Sequence, residues 1–182
     1  MEYDKDLTTM QYKEVITQCR SLFEMKLSDY GAAWRILRPE SLTDQIYIKA
    51  MRIRNLETKG AARVQEGIQP EFVGIVNYAI IGQIQLALGF SDIVDISAEQ
   101  ALAHYDAIAE KTFRLMMDKN HDYDEVWRGM RISSFTDLIL TKVLRTKNIE
   151  SQRGATIVSE GVEANYMDMV NYAIFALIRL SE

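Results

Sequence analysis

A K-x-x-D-Y stretch occurs twice, and the residues downstream of each copy repeat with it. The first copy is Lys26-Leu27-Ser28-Asp29-Tyr30, followed by Gly31 and Trp34-Arg35; the second is Lys119-Asn120-His121-Asp122-Tyr123, followed by Trp127-Arg128. The offset is 93 residues, about half of the 182-residue chain. Tyr12 then matches Tyr105, Ser41-x-Thr43-Asp44 matches Ser134-x-Thr136-Asp137, Lys49-x-x-Arg52 matches Lys142-x-x-Arg145, and Glu57 matches Glu150. One inserted residue takes the offset to 94, at which Asn77-Tyr78-Ala79-Ile80 matches Asn171-Tyr172-Ala173-Ile174. A period this long is a duplicated unit, not a solenoid repeat. Each half alone is too small to bury much of a core, so residues 1–92 and 93–182 are expected to share one.

Hydrophobic periodicity gives each copy three helices. Tyr12, Val15, Ile16, Cys19, Leu22 and Phe23 recur at helical spacing, with Lys26 next on the same face; the second copy repeats this from Tyr105 to Lys119. A loop carrying Asp29-Tyr30 and Trp34 should come next. Ser41-x-x-Asp44 and Ser134-x-x-Asp137 have the pattern of a capping box, which would start the second helices at Ser41 and Ser134. The second helix carries Ile46, Ala50 and Ile53 and runs to Gly60; its counterpart carries Leu138, Ile139, Val143 and Leu144. The third helix should begin near Pro70, a good first-turn residue, and run through Val76, Ile80 and Ile84 to Leu88. No stretch alternates as a strand. The expectation is an all-α helical bundle, a tandem duplication of a three-helix unit with pseudo-twofold symmetry.

Composition excludes several functions. A net charge of −5 gives no basic footprint for an extended nucleic-acid surface, but permits one anionic ligand in a local cationic pocket. Cys19 is the only cysteine, so no internal disulfide or cysteine-rich zinc site forms; it reads as a buried thiol. The two histidines, His104 and His121, fall in one half, which argues against a histidine zinc site. The opening MEYDKDLTTM is polar and acidic, no secretory signal is expected in it, and no apolar run reaches the length of a membrane span. A cytoplasmic protein is therefore expected. A homo-oligomer is left open.

Both readings of the polar residues stand side by side. Lys26 and Lys119 end apolar faces, where a lysine either snorkels to solvent or binds phosphate as a point charge. Asp29 and Asp122 are turn formers or groups acting on a ligand; Tyr30, Trp34, Tyr123 and Trp127 are loop anchors or stacking platforms for a base. Lys49/Arg52 and Lys142/Arg145 are solvated pairs or a polyphosphate clamp. Asn77 and Asn171 lie in register with apolar stripes, where a buried amide must be hydrogen-bonded; they fix the pairing of the halves or read a base. Glu71, Gly74 and Asn77 share one stripe, as do Asn165, Asp168 and Asn171. With no nucleophilic triad and no phosphate-binding glycine loop, catalysis would rest on carboxylate-held Mg²⁺ with Lys and Arg on phosphates. Glu57, Glu71, Glu150, Glu163 and Asp168 are the candidate metal ligands. Glu71 and Asp168 are expected either to meet near the pseudo-twofold axis in one composite metal site or to sit exposed on opposite sides.

The pattern K-x-x-D-Y-G-x-x-W, then S-x-x-D, K-x-x-R and N-Y-A-I, resembles the nucleotide-modification-associated domain 1 family, in two copies. More distantly, the third helix resembles that of the MazG-like all-α nucleoside triphosphate pyrophosphohydrolases. Those bind Mg²⁺ through E-x-x-E and E-x-x-D motifs and cleave between the α and β phosphates. The resemblance places E-x-x-D at Glu71-x-x-Gly74 and at Asn165-x-x-Asp168, one acid being kept in each copy. It implies Mg²⁺-dependent hydrolysis of a nucleoside triphosphate or related triphosphate to monophosphate and pyrophosphate. Lys26, Asp29, Lys119 and Asp122 would then act in catalysis. Tyr30, Trp34, Lys49, Arg52, Asn77, Tyr123, Trp127, Lys142, Arg145 and Asn171 would hold the substrate. The alternatives are a non-catalytic nucleotide-binding or protein-interaction module and a purely structural bundle.

Overall fold

The computed structural model describes residues 5–59, 64–154 and 160–182. Among the described residues six helices form, three per copy: α1 (Lys5–Tyr30), α2 (Pro39–Lys59), α3 (Val64–Leu88), α4 (Ala98–Tyr123), α5 (Ile132–Ser151) and α6 (Val162–Leu180). Short 3₁₀ turns, Ala33–Ile36 and Val126–Gly129, join the first and second helices of each copy. No strand occurs among the described residues. The protein is all-α, and its two copies run through equivalent element orders.

The packing keeps the symmetry of the duplication. α2, α3, α6 and α5 close into a four-helix bundle, each touching the next, and α1 and α4 pack against α3 and α6 and against each other. Exchanging the copies maps the α2–α3 contact onto α5–α6 and the α1–α6 contact onto α4–α3; α3–α6, α2–α5 and α1–α4 map onto themselves. Buried side chains of both copies form one cluster, from Tyr12 and Phe23 through Phe72 and Ile80 to Phe135 and Ile174. The buried stripe of α1 is Thr8, Tyr12, Val15, Cys19, Phe23 and Leu27, and α4 repeats it as Ala101, Tyr105, Thr112, Met116 and Asn120. A stripe at this spacing keeps one face of a helix dry.

α3 and α6 are buried on most sides, because each lies between a second helix and its own counterpart. Their sequences are correspondingly apolar. Gly67–Leu88 is long and apolar enough to cross a membrane by length and composition, contrary to the sequence expectation. In this fold its most apolar stretch is two-thirds buried against other helices. A central bundle helix faces protein on several sides and needs no polar face.

Several helix boundaries differ from those expected. α1 extends through Asp29 and Tyr30 to a stop at Gly31, whose φ of 66° and N–H to the Leu27 carbonyl (2.8 Å) end it in a left-handed cap. α4 likewise absorbs Asp122 and Tyr123. Pro39 opens α2, so Ser41 and Asp44 lie inside the helix, and Asp44 pairs with Lys147 at 3.1 Å. Ser134 lies inside α5 in the same way; Arg131, its N-cap residue, makes no side-chain cap bond. The capping box forms elsewhere, at Ser97. There the hydroxyl accepts from the Gln100 N–H (3.1 Å) and the Gln100 side chain accepts from the Ser97 N–H (2.9 Å). α3 begins at Val64, a turn and a half before Pro70. On α5, Leu144 faces solvent, and the core face is Phe135, Ile139, Leu140 and Val143. The stop expected at Gly60 lies outside the described residues.

Candidate functional site

Asn77 and Asn171 tie the copies together. The Asn77 side-chain amide donates to the Cys19 carbonyl at 3.0 Å, and its oxygen accepts from the Tyr105 hydroxyl at 2.7 Å. The second copy reproduces this by symmetry. Asn171 donates to the Thr112 carbonyl at 3.3 Å and accepts from Tyr12 at 2.7 Å. In each case the tyrosine comes from the other copy. Both asparagines are buried and satisfied, as an amide in an apolar core must be. Burial raises the pKa of both tyrosine hydroxyls and lifts the Cys19 thiol to about 12, so all three stay protonated at neutral pH.

Beside Asn77 the first copy opens a cavity of about 460 Å³, within the range of small-molecule sites. α1 contributes Phe23, Lys26 and Tyr30, the 3₁₀ turn Trp34 and Ile36, α2 Lys49, and α3 Glu71, Gly74, Asn77, Tyr78 and Ile81. Five of the candidate residues of the first copy, Lys26, Tyr30, Trp34, Lys49 and Asn77, therefore converge on one space, together with Glu71. Its walls are aromatic and aliphatic, and its charges are Lys26, Lys49 and Glu71. Lys49 approaches Glu71 at 3.4 Å and lies 5.7 Å from the Tyr78 ring centroid, and Arg52 reaches Glu71 at 2.5 Å. Lys26 is exposed and has no ion-pair partner among the described residues. Asp29 lies on the solvent side, outside the cavity lining.

In the second copy larger side chains stand at two of the matched positions. Where the first has Gly74, it has Asp168, 5% exposed; Lys119 reaches one carboxylate oxygen at 2.7 Å and Lys142 the other at 2.8 Å. Burial works against the Lys119 ammonium, but the hydrogen bond and charge of Asp168 outweigh it and raise its pKa. Where the first copy has Ile81, the second has Phe175, whose ring stacks on Trp127 at 4.3 Å and 7°. Trp127 is therefore buried, with the Arg128 guanidinium 4.4 Å from its ring centroid. Tyr123, Asp122 and Arg145 face solvent.

The five candidate metal ligands do not gather. Among the described residues no three Asp, Glu, His or Cys side chains converge. Glu71 and Asp168 are both buried, and each lies among the cations of its own copy; they form neither a composite pair nor an exposed one. Glu163 pairs with Lys111 at the surface. Glu57 and Glu150 reach across the pseudo-axis towards threonines at the starts of the other copy's second helix: Glu150 accepts from Thr43 at 3.2 Å, and Glu57 lies near Thr136. As a donor set for Mg²⁺ this does not fit. A carboxylate already held by two ammonium or guanidinium groups has no charge left for a hard cation.

Burial raises the pKa of both Glu57 and Glu150. Glu150 is pushed up to about 7; Glu40 and Asp44 add to the shift, while the Thr43 bond and Lys147 oppose it. The unfolded chain then ionises Glu150 near 4.5 and the folded protein near 7. Between those values the folded state holds the extra proton, so stability falls as pH rises through the window and levels off above it. Glu150→Gln is expected to flatten this part of the stability–pH curve, read by melting temperature from pH 4.5 to 8. An unchanged slope would remove Glu150 as its source.

Six helices in two matched sets, with a ligand-sized cavity between aromatic walls and a cationic mouth, define a duplicated helical protein with a candidate binding site in its first copy. The family described as nucleotide modification associated domain 1 matches residues 26–86 and again residues 119–180, more than half of the chain. The chain belongs to that family. No curated protein and no solved structure matches it.

Proposed function

We propose that the cavity of the first copy binds a nucleotide without hydrolysing it. The observation that carries this reading is the pairing of aromatic and aliphatic walls with a cationic mouth in one space of about 460 Å³. Trp34 and Tyr30 offer ring faces to a base, and Lys26 and Lys49 supply positive charge for phosphate. Asn77 has one N–H and one oxygen lone pair beyond those used by Cys19 and Tyr105, enough to meet a polar base edge. The family's description, which names nucleotide modification, is in keeping with such a ligand.

The test is a thermal-shift and calorimetric screen of nucleoside mono-, di- and triphosphates, with and without Mg²⁺, combined with an assay for released pyrophosphate. A ligand that binds only the folded state must raise the melting temperature. Binding without Mg²⁺ and without turnover is expected. Lys26→Ala, which removes an exposed side chain from the cavity mouth, should weaken binding by roughly ten- to a hundredfold while leaving the fold intact. Pyrophosphate release that needs Mg²⁺ would favour the triphosphate hydrolase instead. No binding at millimolar nucleotide would end both readings.

A further inference from the structure

The two copies carry the same kinds of charge in different places. Each has two lysines and an arginine at matched positions and a buried acid on its third helix. In the second copy the acid is Asp168, which gives one carboxylate oxygen to Lys119 and the other to Lys142, at 2.7 and 2.8 Å. That is a complete seat for one small anionic group. In the first copy the acid is Glu71, three residues earlier along the helix, and it turns to Lys49 and Arg52. Position 74, the counterpart of 168, is glycine, and Lys26, the counterpart of Lys119, has no ion partner among the described residues. A Cβ built on Gly74 would come within 2.5 Å of the Lys49 side chain, which lies across that position.

We infer that Lys26 and Lys49, over Gly74, form the anion subsite of the cavity, and that Asp168 is a built-in occupant of the same seat in the second copy. This rests on the nucleotide reading and narrows it. One carboxylate satisfies both lysines of the second copy, so one phosphoryl group, through two of its oxygens, satisfies both lysines of the first. The ligand class is an aromatic phosphomonoester, a nucleoside monophosphate, bound at one site per chain. The base side is asymmetric in the same sense. Phe175 stacks on Trp127 in the second copy, whereas Ile81 leaves Trp34 lining an open space.

Inorganic phosphate and a panel of nucleoside monophosphates are titrated against three variants and the parent at constant ionic strength, with melting temperature and calorimetric Kd and stoichiometry as readouts. Gly74→Asp installs the internal anion; the atoms nearest to its Cβ belong to the flexible Lys49 side chain, which must move to admit it. It is expected to fold, to lose the phosphate-dependent rise in melting temperature and to weaken monophosphate binding at least tenfold. Lys26→Ala should lose the same phosphate response and covers the case in which Gly74→Asp fails to fold. Asp168→Gly empties the second seat. It should melt lower than the parent and regain stability with phosphate, by a larger shift than the parent shows. Parent-like phosphate binding in both Gly74→Asp and Lys26→Ala, or an Asp168→Gly variant that phosphate does not rescue, would overturn the subsite. If nucleotides bind but ignore Gly74→Asp, the subsite fails and the nucleotide reading stands. If phosphate rescues Asp168→Gly and stabilises the parent while no nucleotide binds, the reverse holds.

Discussion

Replacing Asn77 with leucine is expected to destabilise the protein by about 2–4 kcal/mol, a fall in melting temperature of roughly 5–15 °C for a chain of this size. The cost comes from the groups left behind. The Cys19 carbonyl loses a second donor, and the Tyr105 hydroxyl, wholly buried, loses the oxygen it donates to. A buried hydroxyl without a partner costs more than the bond contributed when made. Tyr105→Phe alone should cost about 1–2 kcal/mol, since the amide keeps its bond to Cys19. The double change should cost clearly less than the two single losses together, because phenylalanine has no hydroxyl to strand. Asn171→Leu and Tyr12→Phe should form a second cycle with the same sign, as the symmetry of the two networks requires. Chemical denaturation of both cycles reads this directly. Strict additivity in either would show that the tyrosine and asparagine do not act as a pair.

Arg35→Ala is expected to cost about 2–4 kcal/mol and to loosen the segment that joins the copies. Arg35 is 3% exposed, and its guanidinium donates to the Gln85 side-chain oxygen, to the Gly89 carbonyl (2.6 Å) and to Asp95 (2.8 Å). The Arg35 carbonyl in turn accepts from the Ser91 N–H at 2.9 Å. One buried side chain therefore pins the end of α3 and the linker beyond it to the 3₁₀ turn. Asp95 faces solvent and its carboxylate rehydrates when the arginine is lost, so the cost lies with Gln85, Gly89 and the space vacated. Proteolysis within residues 89–97 should quicken in the variant. Arg35→Lys should rescue little, since an ammonium lacks the planar fork that serves several acceptors at once. The counterpart Arg128, 24% exposed against 4% for the Arg35 side chain, bonds Thr8, Gln11, Glu125 and Glu182, so Arg128→Ala should cost less. Equal losses at the two sites would mean that burial is not what sets the effect at Arg35.

Local pattern was a poor guide to where helices begin. Ser41-x-x-Asp44 has a cap's residues at a cap's spacing, yet two residues upstream Pro39 already starts the helix, and the real box is at Ser97. A cap motif is a few residues long and occurs inside helices by chance. Glu57 and Glu150 read as metal ligands because acids repeated at one offset suggest a site. Their partners, Thr136 and Thr43, come from the opposite copy, and nothing local announces that. The role of Tyr12 and Tyr105 was within reach. A tyrosine on an otherwise apolar stripe needs a partner, and the asparagines were matched polar residues on stripes of their own.

The sequence by itself determined the all-helical class, the duplication, the core faces of α1 and α2 and the stripe that puts Glu71, Gly74 and Asn77 together. These depend on periodicities of 3.6 and 93 residues, which are written along the chain. Only the tertiary structure decided which charges meet. Asp168 lies between two lysines, Glu71 turns to Lys49 and Arg52, and a cavity lies beside Gly74 in the first copy. An acid's spacing along a helix fixes the face it occupies, but a carboxylate's chemistry depends on the groups that distant helices bring within a few ångströms of it.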